Sequence, residues 1–278
     1  MANDYLKPED YAEPRCLLCG EPYGVTPEVR SVPRGRIIDK MNDYMSRRDY
    51  AGAQRHLLYW LNEAKLGHDK RGELMIRNEL VGHYRKTGNR DGAFESAEAA
   101  LKLLDELDFA GSKSAGITYI NIATAYNAFG ENNKSIDIFK KAEDTFSGID
   151  NPDIDLLGGL YNNMALTLTA LGRYDESIAY YDKAVKCMDN VPGGELECAI
   201  TYLNMADTYN ASMGTQKAES KINDLLDKAY DLLINTTATR DGYYAFVCEK
   251  CAPTFSYYGY FVAANELNRK ANEIYERN

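Results

Sequence analysis

From about residue 34 to the end of the chain, apolar residues recur at intervals of three and four, and glycine punctuates the runs. The pattern is clearest in NMALTLTALGRYDESIAYYDKAV, where Met164, Leu168 and Leu171 precede Gly172 and Ile178, Tyr181, Ala184 and Val185 follow it. That spacing predicts two amphipathic helices joined by a tight turn. The glycine suits the helix C-cap, where a left-handed backbone costs it little.

The same segment matches NIATAYNAFGENNKSIDIFKKAE, which begins at Asn121, at an offset of 42 residues, and that offset places glycines at 88, 130, 172 and 214. A weaker copy precedes them in RRDYAGAQRHLLYWLNEA, with Arg48 in the glycine's place, and another follows in YYGYFVAANELNRKANEIYE with Gly259. Six helical hairpins are expected, at about 34–67, 72–108, 112–148, 154–190, 195–236 and 241–277, after an N-terminal extension over 1–33. The fold class is therefore all-α. Small residues such as Ala93, Ser135, Ser177, Ala184 and Ala264 recur at matching places and let helix axes approach closely. Tyr119 and Tyr161 fall at one core position of the first helices, with Tyr126 and Tyr209 a turn further on. Pro253 lies inside a predicted helix and is expected to kink it, because it removes a backbone donor and crowds a carbonyl.

Length changes the picture little once the repeat is seen, since 278 residues exceed one compact core but suit an array. Charge changes it more. A net charge of −10 opposes binding to phosphate backbones, so no nucleic acid is expected as a partner. No apolar run approaches the roughly 18 to 20 residues of a membrane span, and the first residues carry no apolar stretch of a signal peptide. A cytoplasmic location, with no membrane contact and reduced cysteines, is the expectation.

LGRYDESIAYYDKAV resembles the turn and second helix of a tetratricopeptide repeat, whose pattern runs Gly, aromatic, Ala or Ser, aromatic, Ala. The 42-residue period and the N-[IM]-A openings of the first helices are similar to the longer repeats of kinesin light chain and related bacterial proteins. The resemblance implies an α-solenoid that winds as a right-handed superhelix, with the first helices lining a groove. It implies a non-catalytic interaction scaffold that binds an extended peptide or protein segment there. On the resemblance, the first-helix asparagines Asn121, Asn163 and Asn204 match residues that contact a peptide main chain, to which an amide offers both donor and acceptor. The other reading of the three is that they tie neighbouring helices together. Asn127 and Lys86 complete the peptide-binding candidates. Lys86 belongs to the run His83, Tyr84, Arg85, Lys86, which reads either as a contact for an acidic ligand or as a solvated helix end. The alternative function is a peptide-responsive regulatory sensor resembling the pheromone receptors of Gram-positive bacteria, although the first 33 residues are too short for the usual output module.

Two CxxC pairs remain, Cys16 with Cys19 and Cys248 with Cys251, and together they have the ligand chemistry of a zinc site. Counting back from Gly259 places Cys248 in register with Tyr119 and Tyr161, and Cys251 with Ile122 and Met164, so this pair is expected in the core. Zinc is the competing reading, and no other cofactor is expected. Catalytic residues are not expected either: His56, His68 and His83 accompany no nucleophile motif, no HExxH and no phosphate-binding loop.

Overall fold

The computed structural model describes residues 29–189 and 191–276. Among them are twelve α-helices and no strand. In chain order these are α1 Arg34–Ser46, α2 Tyr50–Leu66, α3 Lys70–Thr87, α4 Arg90–Glu106, α5 Lys113–Ala128, α6 Asn132–Ser147, α7 Ile154–Ala170, α8 Tyr174–Met188, α9 Glu195–Met213, α10 Thr215–Asn235, α11 Gly242–Tyr257 and α12 Phe261–Tyr275. They divide into two compact units, one ending at Glu131 and one beginning at Asn132. The five turn glycines Gly88, Gly130, Gly172, Gly214 and Gly259 all have positive φ, between 73° and 85°. Arg48 is positive as well, at φ 57°, so the first hairpin turns as the others do without the residue that favours it.

In the first unit α2 packs between α1 and α3, and α3 also contacts α4 and α5. Ile37, Leu57, Trp60, Ile76 and Leu80 form its core. Three helix starts share one device. Asp49, Asp69 and Asn89 each cap a helix by accepting from the backbone N–H of the glycine three residues on, at 2.8, 2.9 and 3.0 Å. A Cβ on Gly52 or Gly72 would stand 2.3 or 2.4 Å from the capping carboxylate, so each carboxylate would have to shift to cap any other residue there. Asp69 reaches further still. It is buried, accepts the Val32 backbone N–H at 3.0 Å and meets the Arg34 guanidinium at 3.4 Å, fixing the entry of α1 to the start of α3.

In the second unit α7 packs on α8, α9 on α10 and α11 on α12, while α7, α9 and α11 also meet in sequence along one side. The core runs through Tyr181, Leu226, Tyr244 and Phe255. Gly158 admits Met188 to that core, because a Cβ there would lie 1.8 Å from the methionine methyl. With Leu160 and Met164 turned inward, Tyr161 is only half-buried, and its ring lies beside Tyr180 and beneath the Lys183 ammonium. Tyr209 is half-buried too, whereas Tyr119 and Tyr126 are buried as their register predicts. Pro253 does not interrupt α11, which continues past it to Tyr257. The exposed surface of α12 carries Asn265, Asn268, Arg269 and Asn272 together with Phe261 and Val262.

Tyrosine hydroxyls bonded to carboxylates join several of these helices. Tyr180 donates to Glu143 at 2.8 Å, Tyr230 to Glu266 at 2.5 Å, Tyr258 to Asp207 at 2.8 Å and Tyr275 to Glu249 at 2.9 Å, and Tyr243 donates to Glu197. Each link connects two elements of the unit, and charged acceptors make such bonds stronger than neutral pairs.

Candidate functional site

In the first unit the neighbouring first helices α3 and α5 leave a cleft of about 480 Å³, closed at its rim by Arg34, Arg71 and Phe109. Leu74, Met75 and Ile117 give it an apolar wall, and Asn78, Glu79 and Asn121 supply polar groups. Sequence periodicity explains the convergence. Glu79 precedes Asn121 by 42 residues, one repeat, so the two occupy equivalent places on adjacent helices.

The polar groups differ in how they are held. Asn78 donates its amide N–H to Thr118 Oγ1 at 2.8 Å, and the Thr118 hydroxyl donates to the Ser114 carbonyl at 2.8 Å. The amide oxygen of Asn78 is buried with no partner in the structure. Burial alone raises the Glu79 carboxyl above its ordinary pKa. Arg34 is engaged by Asp69, and the Arg71 guanidinium lies 5.0 Å from the centre of the Phe109 ring. The arrangement can present hydrogen-bond acceptors to a guest beside an apolar wall, the usual chemistry of a recognition cleft.

A smaller cleft, about 300 Å³, lies between α7 and the residues that lead into α9, with Gly159, Asn162, Glu197 and Thr201 among its lining. Here the asparagine register differs from the sequence expectation. Asn121 and Asn163 stand nine residues before their turn glycines, but Asn204 stands ten before Gly214, so its repeat equivalent is Asn162. The structure pairs those two, the Asn204 amide N–H donating to Asn162 Oδ1 at 3.1 Å, with the Thr201 hydroxyl oxygen 3.3 Å from the same acceptor. Thus the Asn204 amide N–H ties α9 to α7. Asn163 is half-buried one position along, and Asn127 is half-buried near the end of α5.

The run at the end of α3 divides. His83 and Tyr84 are buried, and His83 has no hydrogen-bond partner at either ring nitrogen, so it is no solvated helix end. Its spacing of three from Leu80 puts it on the core stripe of α3. Arg85 and Lys86 are exposed, and the Lys86 ammonium sits 5.5 Å from the centre of the Tyr50 ring.

Cys248 and Cys251 lie in the core of the second unit, 0% and 2% exposed. Burial pushes both thiols up, Cys251 to about 12, which keeps them neutral. Cys16 and Cys19 lie outside the described residues, so their pairing with the core thiols has no geometry here. Among the described residues no group of three or more His, Cys, Asp or Glu side chains could hold a metal ion. No described helix is long and apolar enough to cross a membrane.

Sequence reasoning assigned no role to Asn78, Glu79 or Asn162. The repeat offset held the signal, since it relates Glu79 to Asn121 and Asn162 to Asn204, but only neighbouring hairpins show which of these amides tie helices and which line a space.

Comparison with known proteins agrees with this architecture. Residues 156–231 match the family profile of the tetratricopeptide repeat. Similar folds occur in BtubC from P. vanneervenii, 18% identical over 74% of this chain and 82% of that one, with a TM-score of 0.63. They occur also in the kinesin light chain-like, nearly identical TPR-like repeats of Podosopora anserina, 16% identical over 72% and 94% of the two chains at a TM-score of 0.51. A Rap protein complexed with competence and sporulation factor is 12% identical over 86% and 73%, at a TM-score of 0.50. No curated protein matches the chain in sequence. Residues 156–231 are thus similar to tetratricopeptide repeats, and the helical hairpins have the all-α repeat fold of the proteins built from them.

Proposed function

We propose that the protein is a non-catalytic scaffold that holds an extended peptide or protein segment against its first helices, with the α3–α5 cleft as the principal seat. The observation that supports this reading is that cleft itself, where an apolar wall meets the half-buried amide of Asn121. An amide side chain can bond a peptide main chain whatever its side chains, while the wall takes an apolar residue. Asn163 is the corresponding contact on α7. Asn204 serves mainly to stiffen the second unit, and Asn127 and Lys86 are peripheral contacts at the ends of α5 and α3.

Binding of fluorescent decapeptide mixtures to the full chain tests the reading. Ile117→Trp, which fills the cleft, should abolish binding. Asn121→Ala should weaken it by about 0.5 to 1.5 kcal/mol, the worth of one hydrogen bond, at an unchanged thermal midpoint. Binding untouched by both substitutions would refute the proposal. The likeness to the Rap protein brings a second reading, a sensor whose repeats rearrange when a signal binds. Hydrogen exchange that changes only at the cleft on peptide binding would count against it.

A further inference from the structure

Glu79 is a group that the scaffold reading leaves unused. It is half-buried in the cleft wall, burial is the only influence on its titration, and no described residue bonds or pairs with it. A carboxylate drawn partly out of water with nothing in exchange costs some stability, and a neutral residue at the same place would avoid the cost. The unpartnered amide oxygen of Asn78, the preceding residue on α3, adds a second acceptor without a donor. Of the two cations at the rim, Arg34 is paired with Asp69 and Arg71 lies over the face of Phe109 with its charge retained, and neither bonds Glu79.

We infer that the cleft seats a basic side chain, lysine or arginine, of the bound segment, with its charged head against Glu79 and its aliphatic stem along Met75 and Ile117. This rests on the scaffold reading and names the class of segment that it takes. Long basic side chains combine the two chemistries that the cleft offers, a cationic head with several donors and an apolar stem. Other guests fit worse. An acidic residue would meet Glu79 as a like charge, and an apolar one would bury Glu79 further with its acceptors still empty. A metal ion would find one carboxylate and neutral amides, short of a ligand set. The net charge of −10 draws a basic segment toward the chain before any contact forms.

The test fixes one central position of fluorescein-labelled decapeptide mixtures as arginine, lysine, citrulline, leucine or glutamate, and measures binding to the full chain by fluorescence anisotropy. Citrulline keeps the shape of arginine without its charge. The arginine or lysine mixture should bind at least about fivefold more tightly than citrulline, with glutamate weakest, as a charge-assisted contact requires. Glu79→Gln, which keeps the shape of the side chain, should lose that preference while its thermal midpoint stays level or rises. If wild-type protein binds the mixtures but does not distinguish arginine from citrulline, the inference fails and the scaffold reading survives. A basic preference that persists in Glu79→Gln overturns it as well, and assigns the preference to net charge. If no mixture binds, both fail.

Discussion

Asp69 is the residue whose loss the first unit should feel most sharply among its polar side chains. Its carboxylate caps α3 through the Gly72 N–H at 2.9 Å, accepts the buried Val32 N–H at 3.0 Å and meets Arg34 at 3.4 Å. Asp69→Ala removes a helix cap, at about 1 kcal/mol. It also leaves the Val32 amide buried without a partner, at about 1 to 3 kcal/mol. The Arg34 contact adds little, since 46% of that side chain is exposed. Together the loss is about 2 to 4 kcal/mol. Asp69→Asn should cost about half as much, because one amide oxygen replaces two acceptors and the new NH₂ must face either the Val32 or the Gly72 N–H. Trp60, the single tryptophan, is buried in this unit, so its fluorescence in urea follows the relevant transition. Amide exchange at Val32 and Gly72 would show where protection is lost. A change below about 0.5 kcal/mol for Asp69→Ala, the level of an ordinary surface substitution, would refute the reasoning.

Two further outcomes are expected. Burial holds the His83 pKa below its ordinary 6.5, so the unfolded chain binds that proton more readily and the contribution to stability, complete above pH 6.5, is lost as pH falls toward the folded-state value. The Trp60 transition should weaken as the pH falls below 6.5, less so in His83→Phe, and equal slopes in the two proteins would exclude His83 as the cause. Cys248 and Cys251 should react with thiol reagents only on unfolding, later than the half-exposed Cys187, and protein purified without chelator should carry no zinc; near-stoichiometric zinc that disappears in Cys16→Ser and Cys248→Ser would make the CxxC pairs a metal site instead.

The legible part of this protein is the part set by local spacing. The 42-residue offset and its glycines define the hairpins because a helix face and its cap are properties of a few consecutive residues. Helical register likewise suffices to place Cys248 and Cys251 in the core, where both are buried. Register by opening motif fails at Asn204, where N-M-A aligns it with Asn163 although the turn glycine aligns it with Asn162. The charged neighbours of His83 suggest a solvated helix end, yet Leu80 and Tyr84 on its own helix face decide its burial. The setting of Glu79 cannot be read from sequence, because a carboxylate is ordinary on a helix until a neighbouring hairpin takes part of its water and offers no partner. The caps at Asp49, Asp69 and Asn89 are visible as an acidic or amide residue with glycine three places on, a 20-residue spacing hidden beneath the stronger 42-residue one.

Under the proposed function, the tyrosine links of the second unit bear on how a bound segment would be released. A lysine that bridges to a carboxylate cancels its charge, but a phenol leaves the acceptor fully anionic. Glu197, Asp207 and Glu249 therefore fasten helices together and still contribute to the electric field around the molecule, whereas Glu143 and Glu266 also meet the Lys183 and Lys270 ammonium groups. Cohesion and attraction are thus separable. Salt shortens the reach of the field to about 10 Å at 0.1 M and less above it, but acts weakly on a hydrogen bond whose donor carries no charge. If the proposal holds, raising the ionic strength should loosen the hold on a basic segment while these joints stay closed, so that a guest would leave without the repeats coming apart.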